Sequence, residues 1–325
     1  MYSVADKITH QRGATLISKD KLLEKYNISK EKFEYAEISW DELEHIYYDY
    51  KGKISKYEKI LSDFEKQYLG DTTKIGIHSY RTRIKDPEHL IVKIIQKKID
   101  KYRKYQNLNK DNYEKFLTDL IGIRGFILFK EQWIDFHRYI CGCFDNEERY
   151  YVKDSLEDFD EDIEHQYMAE PPKVHIRDGD NRKIYEGEIA PDQIISKKIY
   201  RSIHYILKYH GVYIEIQIRT LFEEGWGEID HHIVYPYYKD NANLHHYTEL
   251  LNRLSGLADE MGSFFCVLKK LELDILQYTK VEASGEDVLP DIVSNEETIE
   301  IKDTKVTTKQ IDNTALGCIS EIMKE

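Results

Sequence analysis

The stretch from residue 203 to 219 constrains the fold more than any other part of the chain. Ile203–Tyr209 and Val212–Arg219 read as two strands joined at His210-Gly211. In the second, Val212, Ile214, Ile216 and Ile218 alternate with Tyr213, Glu215, Gln217 and Arg219. Successive strand residues point to opposite faces, so one face is core and the other lines up an acid, an amide and a guanidinium. The run IGIRGFILF from Ile121 is apolar and β-branched and predicts a buried strand. Arg124 lies inside it, and a charge there must be paired or face a cleft. Ile77 to Ile84 predicts another extended segment, with Ser79, Arg81, Arg83 and Lys85 on alternate positions.

Helices flank these strands. Leu43, Ile46, Tyr47, Tyr50, Ile54, Tyr57, Ile60, Leu61, Phe64 and Tyr68 recur at helical steps within Trp40–Leu69, and Gly70 closes that helix. Tyrosines in such a stripe pack their rings and expose their hydroxyls. Asp86-Pro87-Glu88 is a helix start, with a capping acid and a proline in the first turn. Its predicted buried face is Ile91, Ile95, Ile99 and Tyr102, and its basic stripe is Lys93, Lys97, Lys101 and Lys104. Trp133–Cys143 predicts a helix. Residues 171–199 read as irregular structure with short strands. Thr220 and Glu223 form a capping box for a helix whose apolar face is Phe222, Trp226, Ile229 and Ile233, ended by Pro236. Residues 244–279 predict one or two more helices, and the sequence from Val281 reads as a flexible acidic tail. Four parts follow: a helical segment over 1–70, a central domain over 71–240, helices over 241–280 and a tail over 281–325.

Charge is unevenly placed. The net charge is −13, yet residues 145–164 carry ten acids against two bases, and 281–325 eleven against four. Residues 73–105 hold ten Lys and Arg against three acids. A basic segment in an acidic chain points to a local polyanion site. No apolar run approaches the ~20 residues of a membrane span. The start, MYSVADKITHQRG, has no apolar signal region. Four scattered cysteines fit neither a disulfide framework nor a zinc site. The expectation is a reduced, cytoplasmic protein with no membrane partner.

No phosphate-binding loop of the G-x-x-x-x-G-K-[ST] or G-x-G-x-x-G kind is present. Phosphates must therefore be held by side chains, and Arg81, Arg83, Lys85, Lys93, Lys97 and Arg124 are the supply. Magnesium needs carboxylates, and Asp119 with Glu215 is the best pair. Each also has a plain structural reading: Asp119 as a turn cap, Glu215 as a partner of Arg219. The pairs His231-His232 and His245-His246 diverge by about 100° on a helix and cannot share zinc. Ser202 and His204 share a strand face but lack a nucleophile elbow.

Four segments combine. SYRTRIKDPEHLIVKI, FLTDLIGIRGFILF, YRSIHYIL and EIQIRTLFEEGWGEIDHHIVYP resemble, in order, the RelA/SpoT-type pyrophosphokinase domain that makes guanosine tetra- and pentaphosphate. The resemblance covers residues 77–236 and implies an α/β (α+β) fold: a mixed β-sheet flanked by helices, nucleotidyltransferase-like, with helical N- and C-terminal extensions. It implies transfer of pyrophosphate from ATP to the 3′-hydroxyl of GDP or GTP, with Mg2+ as cofactor. The family's ATP-binding residues fall on Arg83, Lys85, Lys93 and Arg124, and its magnesium-binding aspartate on Asp119. Its acidic metal ligand or base falls on Glu215, and its base-stacking tyrosine on Tyr200. His204, Gln217 and His231 fall on other positions of the acceptor pocket. Ile199, His89 and Glu224 stand where the family usually has glycine, serine and asparagine. PPKVHIRDGD and the segment around Trp226 resemble the divergent subgroup with toxic members, which implies the 3′ CCA end of tRNA or an adenine nucleotide as alternative acceptors. A homo-oligomer or an antitoxin or inhibitory partner is a further expectation. A non-catalytic nucleotide-sensing module is the alternative from another class. No His-Asp dipeptide marks the hydrolase domain of long family members.

Overall fold

A computed structural model describes residues 16–144, 166–234 and 241–284. The chain divides into two units, residues 1–269 and 270–325. In the second, residues 270–284 are described and are helical. The acidic stretch 145–164 lies outside the described residues, as do Pro236 and the tail beyond 284.

The first unit is built on a seven-stranded sheet. Its strands are β1 (Ser79–Ile84), β2 (Ile121–Ile127), β3 (Tyr167–Met168), β4 (Lys173–Arg177), β5 (Ile194–Lys197), β6 (Ser202–Tyr209) and β7 (Val212–Thr220). The order is β1-β2-β7-β6-β4-β5, with β3 beside β6. β2 runs parallel to β7 and β4 to β5; the other pairs are antiparallel. The sheet is therefore mixed, as the resemblance implies. His210 and Gly211 both take positive φ, 46° and 75°, the geometry of a two-residue hairpin turn that follows the strand twist.

The helices are α1 (Lys19–Lys25), α2 (Lys30–Tyr35), α3 (Trp40–Tyr68), α4 (Pro87–Ile99), α5 (Tyr113–Phe116), α6 (Trp133–Cys143), α7 (Leu221–Ile229) and α8 (Ala242–Ser284). Ser39 caps α3 and Asp86 caps α4, each accepting backbone N–H bonds. One apolar core runs from Leu22 and Phe33 through Tyr50, Phe64, Ile91 and Phe136 to Ile123, Ile214 and Ile216. The buried tyrosines also engage their hydroxyls: Tyr50 donates to the Lys85 carbonyl at 2.8 Å and Tyr113 to Asp49 at 2.8 Å. No helix among the described residues is long and apolar enough to cross a membrane.

Three local expectations are corrected. First, α4 ends at Ile99, because Asp100 caps it and Lys101 takes a positive φ of 54°. Tyr102 then lies beyond the helix and is 48% exposed, and the inward face is Leu90, Ile91, Ile94, Ile95 and Lys98. The basic stripe breaks there too, since Lys101 turns to the Tyr35 carbonyl at 2.8 Å. Second, α7 does not bury the predicted apolar face. Phe222 and Ile229 are exposed, and Glu223 and Glu224 turn inward beside Trp226. Arginines beneath the helix draw them in. Only half of the capping box forms: Thr220 accepts from the Glu223 N–H at 3.2 Å, while the Glu223 carboxylate pairs with Arg177. Third, the C-terminal segment is one helix that continues to Ser284, past the predicted start of the tail.

Arg177 and Arg201 anchor a buried ionic cluster under α7 and α8. Arg201 grips Asp180 with two bonds of 2.9 Å and reaches Asp259 at 2.7 Å. Arg177 pairs with Glu223 and donates to the Asn252 carbonyl at 2.8 Å. Asp180, Glu223 and Asp259 are three carboxylates facing two guanidiniums. One proton balances the cluster, and the buried unpartnered atoms Glu223 Oε2 and Asp259 Oδ1 mark where a donor is missing. Burial, against the pull of Arg177 and Arg201, pushes the Glu223 carboxyl up to about 7. Its folded-state pKa thus exceeds its ordinary value of 4.5, so its stabilisation is full below that value and is lost as pH rises through about 7. Denaturant unfolding at pH 5 and pH 8 checks this. Glu223→Gln should flatten the pH dependence by up to about 3 kcal/mol. Equal slopes in the two proteins would contradict it.

Candidate active site

The register across the sheet brings the sequence-predicted residues together. Arg83, Gly122 and Glu215 lie side by side on β1, β2 and β7, and Arg81, Arg124, Gln217 and His204 form the neighbouring row. This is the face opposite the isoleucines of β7.

At one end of these strands Asp119 precedes β2 and Lys85 follows β1. The Lys85 N–H donates to the Leu120 carbonyl at 2.9 Å, which fixes the two segments together. Lys85 Nζ lies 2.6 Å from Asp119 Oδ2, and Lys93 Nζ, from α4, lies 2.8 Å from Oδ1. Asp119 is 8% exposed. Burial works to raise its pKa, but Lys93 and Lys85 hold it well below the usual carboxylate range. Burial in turn lowers the Lys85 ammonium, against Asp119.

Arg83 is exposed, and no described carboxylate pairs with it. Its side chain lies over Gly122, where a Cβ would sit 3.0 Å from Nε. A larger residue at 122 would push the guanidinium off the sheet. Arg124 is engaged by α7: Nη1 donates to Glu224 at 2.8 Å and to Glu228 at 2.5 Å. Arg81 lies 3.4 Å from Glu228, and Arg219 donates to Glu224 at 3.3 Å. Glu224 and Glu228 thus hold three guanidiniums near the predicted phosphate site.

Glu215 belongs to a closed ring of hydrogen bonds. Gln217 Nε2 donates to Glu215 Oε2 at 3.0 Å, and Arg219 Nη2 donates to Gln217 Oε1 at 2.7 Å and to the Tyr200 hydroxyl at 2.8 Å. That hydroxyl lies 2.9 Å from His204 Nε2, and His204 Nδ1 lies 3.3 Å from Glu215 Oε1. The contacts of His204 match donor to acceptor when Tyr200 donates to Nε2 and Nδ1–H donates to Glu215. Burial works to raise the Glu215 pKa, but the His204 hydrogen bond and charge, together with Lys93, hold the carboxyl below its ordinary value.

The structure places Tyr200, His204, Gln217 and Glu215 in one network. His231 sits elsewhere, in the π-turn Asp230–Val234 after α7. Its ring lies within electrostatic reach of Arg124 and Arg83, and its pKa is lowered first by partial burial and then by Arg124, His232 and Arg83. It therefore joins the guanidiniums rather than Tyr200. The Arg219 guanidinium covers the Tyr200 ring at 5.2 Å, so one face of the aromatic surface is occupied. His175, absent from the sequence reading, packs on His204 with centroids 4.9 Å apart and is pushed down to about 4, first by burial and then by His204. Glu228 was also missed. Spacing four residues after Glu224, one helical turn on, was its signal.

Among the described residues no three His, Cys, Asp or Glu side chains gather to hold a metal. Asp119 and Glu215 are nonetheless close enough for Asp119 to raise the Glu215 pKa. Two carboxylates of this kind fit a hard cation that keeps water and takes its other ligands from phosphates.

Comparisons with known proteins bear on the same residues. Residues 82–240 match the model described as "Region found in RelA / SpoT proteins". Residues 82–240 are a RelA/SpoT region. It spans the site from Arg83 to His231. Among solved structures, a GTP pyrophosphokinase family protein from Streptococcus pneumoniae is 18% identical and covers 72% of this chain and 97% of its own, with a TM-score of 0.43. Small alarmone synthetase 1 from Bacillus subtilis, bound to its product pppGpp, is 17% identical and covers 66% and 90%, with a TM-score of 0.38. A Streptococcus mutans protein is 17% identical and covers 71% and 96%, with a TM-score of 0.41. No curated protein matches the sequence.

Arg83, Lys85, Lys93 and Arg124 all lie within the RelA/SpoT region. Calorimetry with inorganic tripolyphosphate tests whether they take a chain of phosphates. Arg83→Gln should weaken binding by about tenfold, the worth of one charged hydrogen bond. Glu228→Gln should tighten it severalfold by releasing Arg124. Unchanged binding in both would place the phosphates elsewhere.

Proposed function

We propose that the protein is a pyrophosphokinase that transfers the β,γ-pyrophosphate of ATP to the 3′-hydroxyl of GDP or GTP. The observation that carries this is the pairing of two devices at neighbouring places on the sheet. Lys85 and Lys93 bracket Asp119, and Glu215 is held ionised beside them by His204. Arg83, Lys85, Lys93 and Arg124 take the triphosphate in this reading. Tyr200, with His204, Gln217 and His231, serves the acceptor side.

The reaction forms a bond from the acceptor 3′-oxygen to the β-phosphorus. It breaks the bond from that phosphorus to the α,β-bridging oxygen, and AMP leaves. The hydroxyl proton passes to Glu215. Its hydrogen bonds to His204 and Gln217 aim the carboxylate and keep it charged to receive that proton. The basic side chains align the phosphates and offset the charge that builds on the leaving oxygen. Asp119 and Glu215 would hold Mg2+, which supplies charge neutralisation across the phosphates when bound.

The test is a transfer assay with γ-labelled ATP and magnesium, offering GDP, GTP, adenine nucleotides or deacylated tRNA. A labelled guanosine tetra- or pentaphosphate is the expected product. Label on the tRNA 3′ end or on an adenine nucleotide would move the acceptor assignment and leave the donor side standing. Binding of ATP without any transfer would favour a nucleotide sensor. Glu215→Gln should lower turnover by about a thousandfold at unchanged far-UV dichroism. Near-normal turnover in that variant would remove Glu215 from the chemistry.

A further inference from the structure

The ring of contacts that orients Glu215 rests against a residue outside it. Strand β4 runs antiparallel to β6, with Lys173 opposite His204 and His175 opposite Ser202. Lys173, His175 and Arg177 therefore alternate onto the sheet face that carries His204, Gln217 and Glu215. The His175 ring meets His204 with centroids 4.9 Å apart at 72°, and Tyr200 at 5.5 Å and 59°. Tyr200 and His204 meet at 6.0 Å and 69°. Three rings packed pairwise at steep angles leave none of them room to turn over without striking another. Tyr200 is braced in turn by the Arg219 guanidinium, 5.2 Å from its ring centre.

His204 needs such a wall. Its two nitrogens serve different partners: Nε2 lies 2.9 Å from the Tyr200 hydroxyl, and Nδ1 lies 3.3 Å from Glu215 Oε1. An imidazole that turns over about its Cβ–Cγ bond takes both nitrogens away from those partners. The 3.3 Å contact is long for a hydrogen bond and holds the ring weakly by itself. His175 adds the restraint through its ring. Its Nδ1 is buried and has no hydrogen-bond partner among the described residues, so that atom binds neither His204 nor Tyr200. The ring also stays neutral: burial first, then His204, Lys197 and Lys173, lower its pKa to about 4. A cation at this place would be repelled by both lysines and would compete with His204 for the charge of Glu215.

We infer that His175 is a positioning residue for the transfer: a neutral ring wedged against His204 keeps Nδ1–H on Glu215, and so keeps the carboxylate aimed at the acceptor hydroxyl. The inference rests on the reading of Glu215 as the proton acceptor. It brings in β4, a strand that holds none of the residues assigned to the reaction above. The effect falls on turnover and spares the donor side. The residues that take the triphosphate belong to β1, β2 and α4 or lie beside them, and β7 and β6 stand between β2 and β4 in the sheet.

Two measurements on the full chain test this. The first is nitrogen NMR of protein labelled at its histidine rings, with the His204 signals identified by their loss in His204→Asn. It needs no turnover, so its result is independent of whether the proposed reaction is right. In the wild type at pH 8 the two His204 nitrogens should give well-separated signals, as one fixed tautomer does. In His175→Ala the signals should converge as the ring samples both tautomers. The second is the transfer assay. His175→Ala should lower kcat by about tenfold to a hundredfold with the KM for ATP unchanged. His175→Phe, which restores a flat neutral ring, should recover most of that kcat and the separated signals. Should His175→Ala fail to fold, His175→Leu takes its place, filling the volume without a flat face. His204 signals that converge already in the wild type, or that stay separated in the Ala variant, would overturn the inference. So would an unchanged kcat, a loss confined to KM, or a Phe variant no better than Ala, which would make a hydrogen bond of His175 the cause and not its shape.

Discussion

A carboxylate buried between two ammonium groups sets the geometry on which the rest of the site depends. Asp119 belongs to the approach to β2, Lys85 to the exit of β1, and Lys93 to α4. Burial alone would protonate the acid and neutralise Lys85. Each keeps its charge because the other does, so the three elements are pinned together by one electrostatic requirement.

The ring through Glu215, Gln217, Arg219, Tyr200 and His204 applies the same logic with hydrogen bonds. All its members are on strands or immediately beside one, and each is joined to the next by a polar contact. A fully satisfied polar network is rigid, and one lost member leaves two neighbours unpaired. The ring therefore fixes both the direction of the Glu215 carboxylate and the tautomer of His204. It also brings the guanidinium of Arg219 over Tyr200, so the aromatic surface and the acid are set by one chain of contacts.

Strand alternation made much of this legible in the sequence. The period-two pattern of β7 separated Glu215, Gln217 and Arg219 from the isoleucines, and the charge inside β2 marked Arg124 as either paired or facing a cleft. Periodicity misread α7 because it counts apolar residues and is blind to buried arginines. Phe222 and Ile229 satisfy a helical stripe, but Arg177 below and Arg124 beside the helix attract Glu223, Glu224 and Glu228 more strongly. The α4 stripe failed at Lys101 for a local reason, since the helix stops at Asp100 and nothing apolar in the sequence signals it. The ionic cluster of Arg177, Arg201, Asp180 and Asp259 joins residues up to 82 positions apart, and no spacing rule reaches that far.

The acidic face of α7 has an energetic consequence for the site. The helix is held to the sheet by ion pairs on both of its edges: Glu223 toward the buried cluster, Glu224 and Glu228 toward Arg81, Arg124 and Arg219. An anion that recruits Arg124 must first separate it from two carboxylates, one of them buried. Those carboxylates must then be rehydrated or find another cation. The net gain from Arg124 is thus far smaller than its charge suggests, whereas Arg83 has no carboxylate to leave among the described residues. Counting basic residues overstates affinity here. The difference between these two arginines is set by α7, the same helix whose Trp226 and Glu223 contact the partners that hold α8 in register.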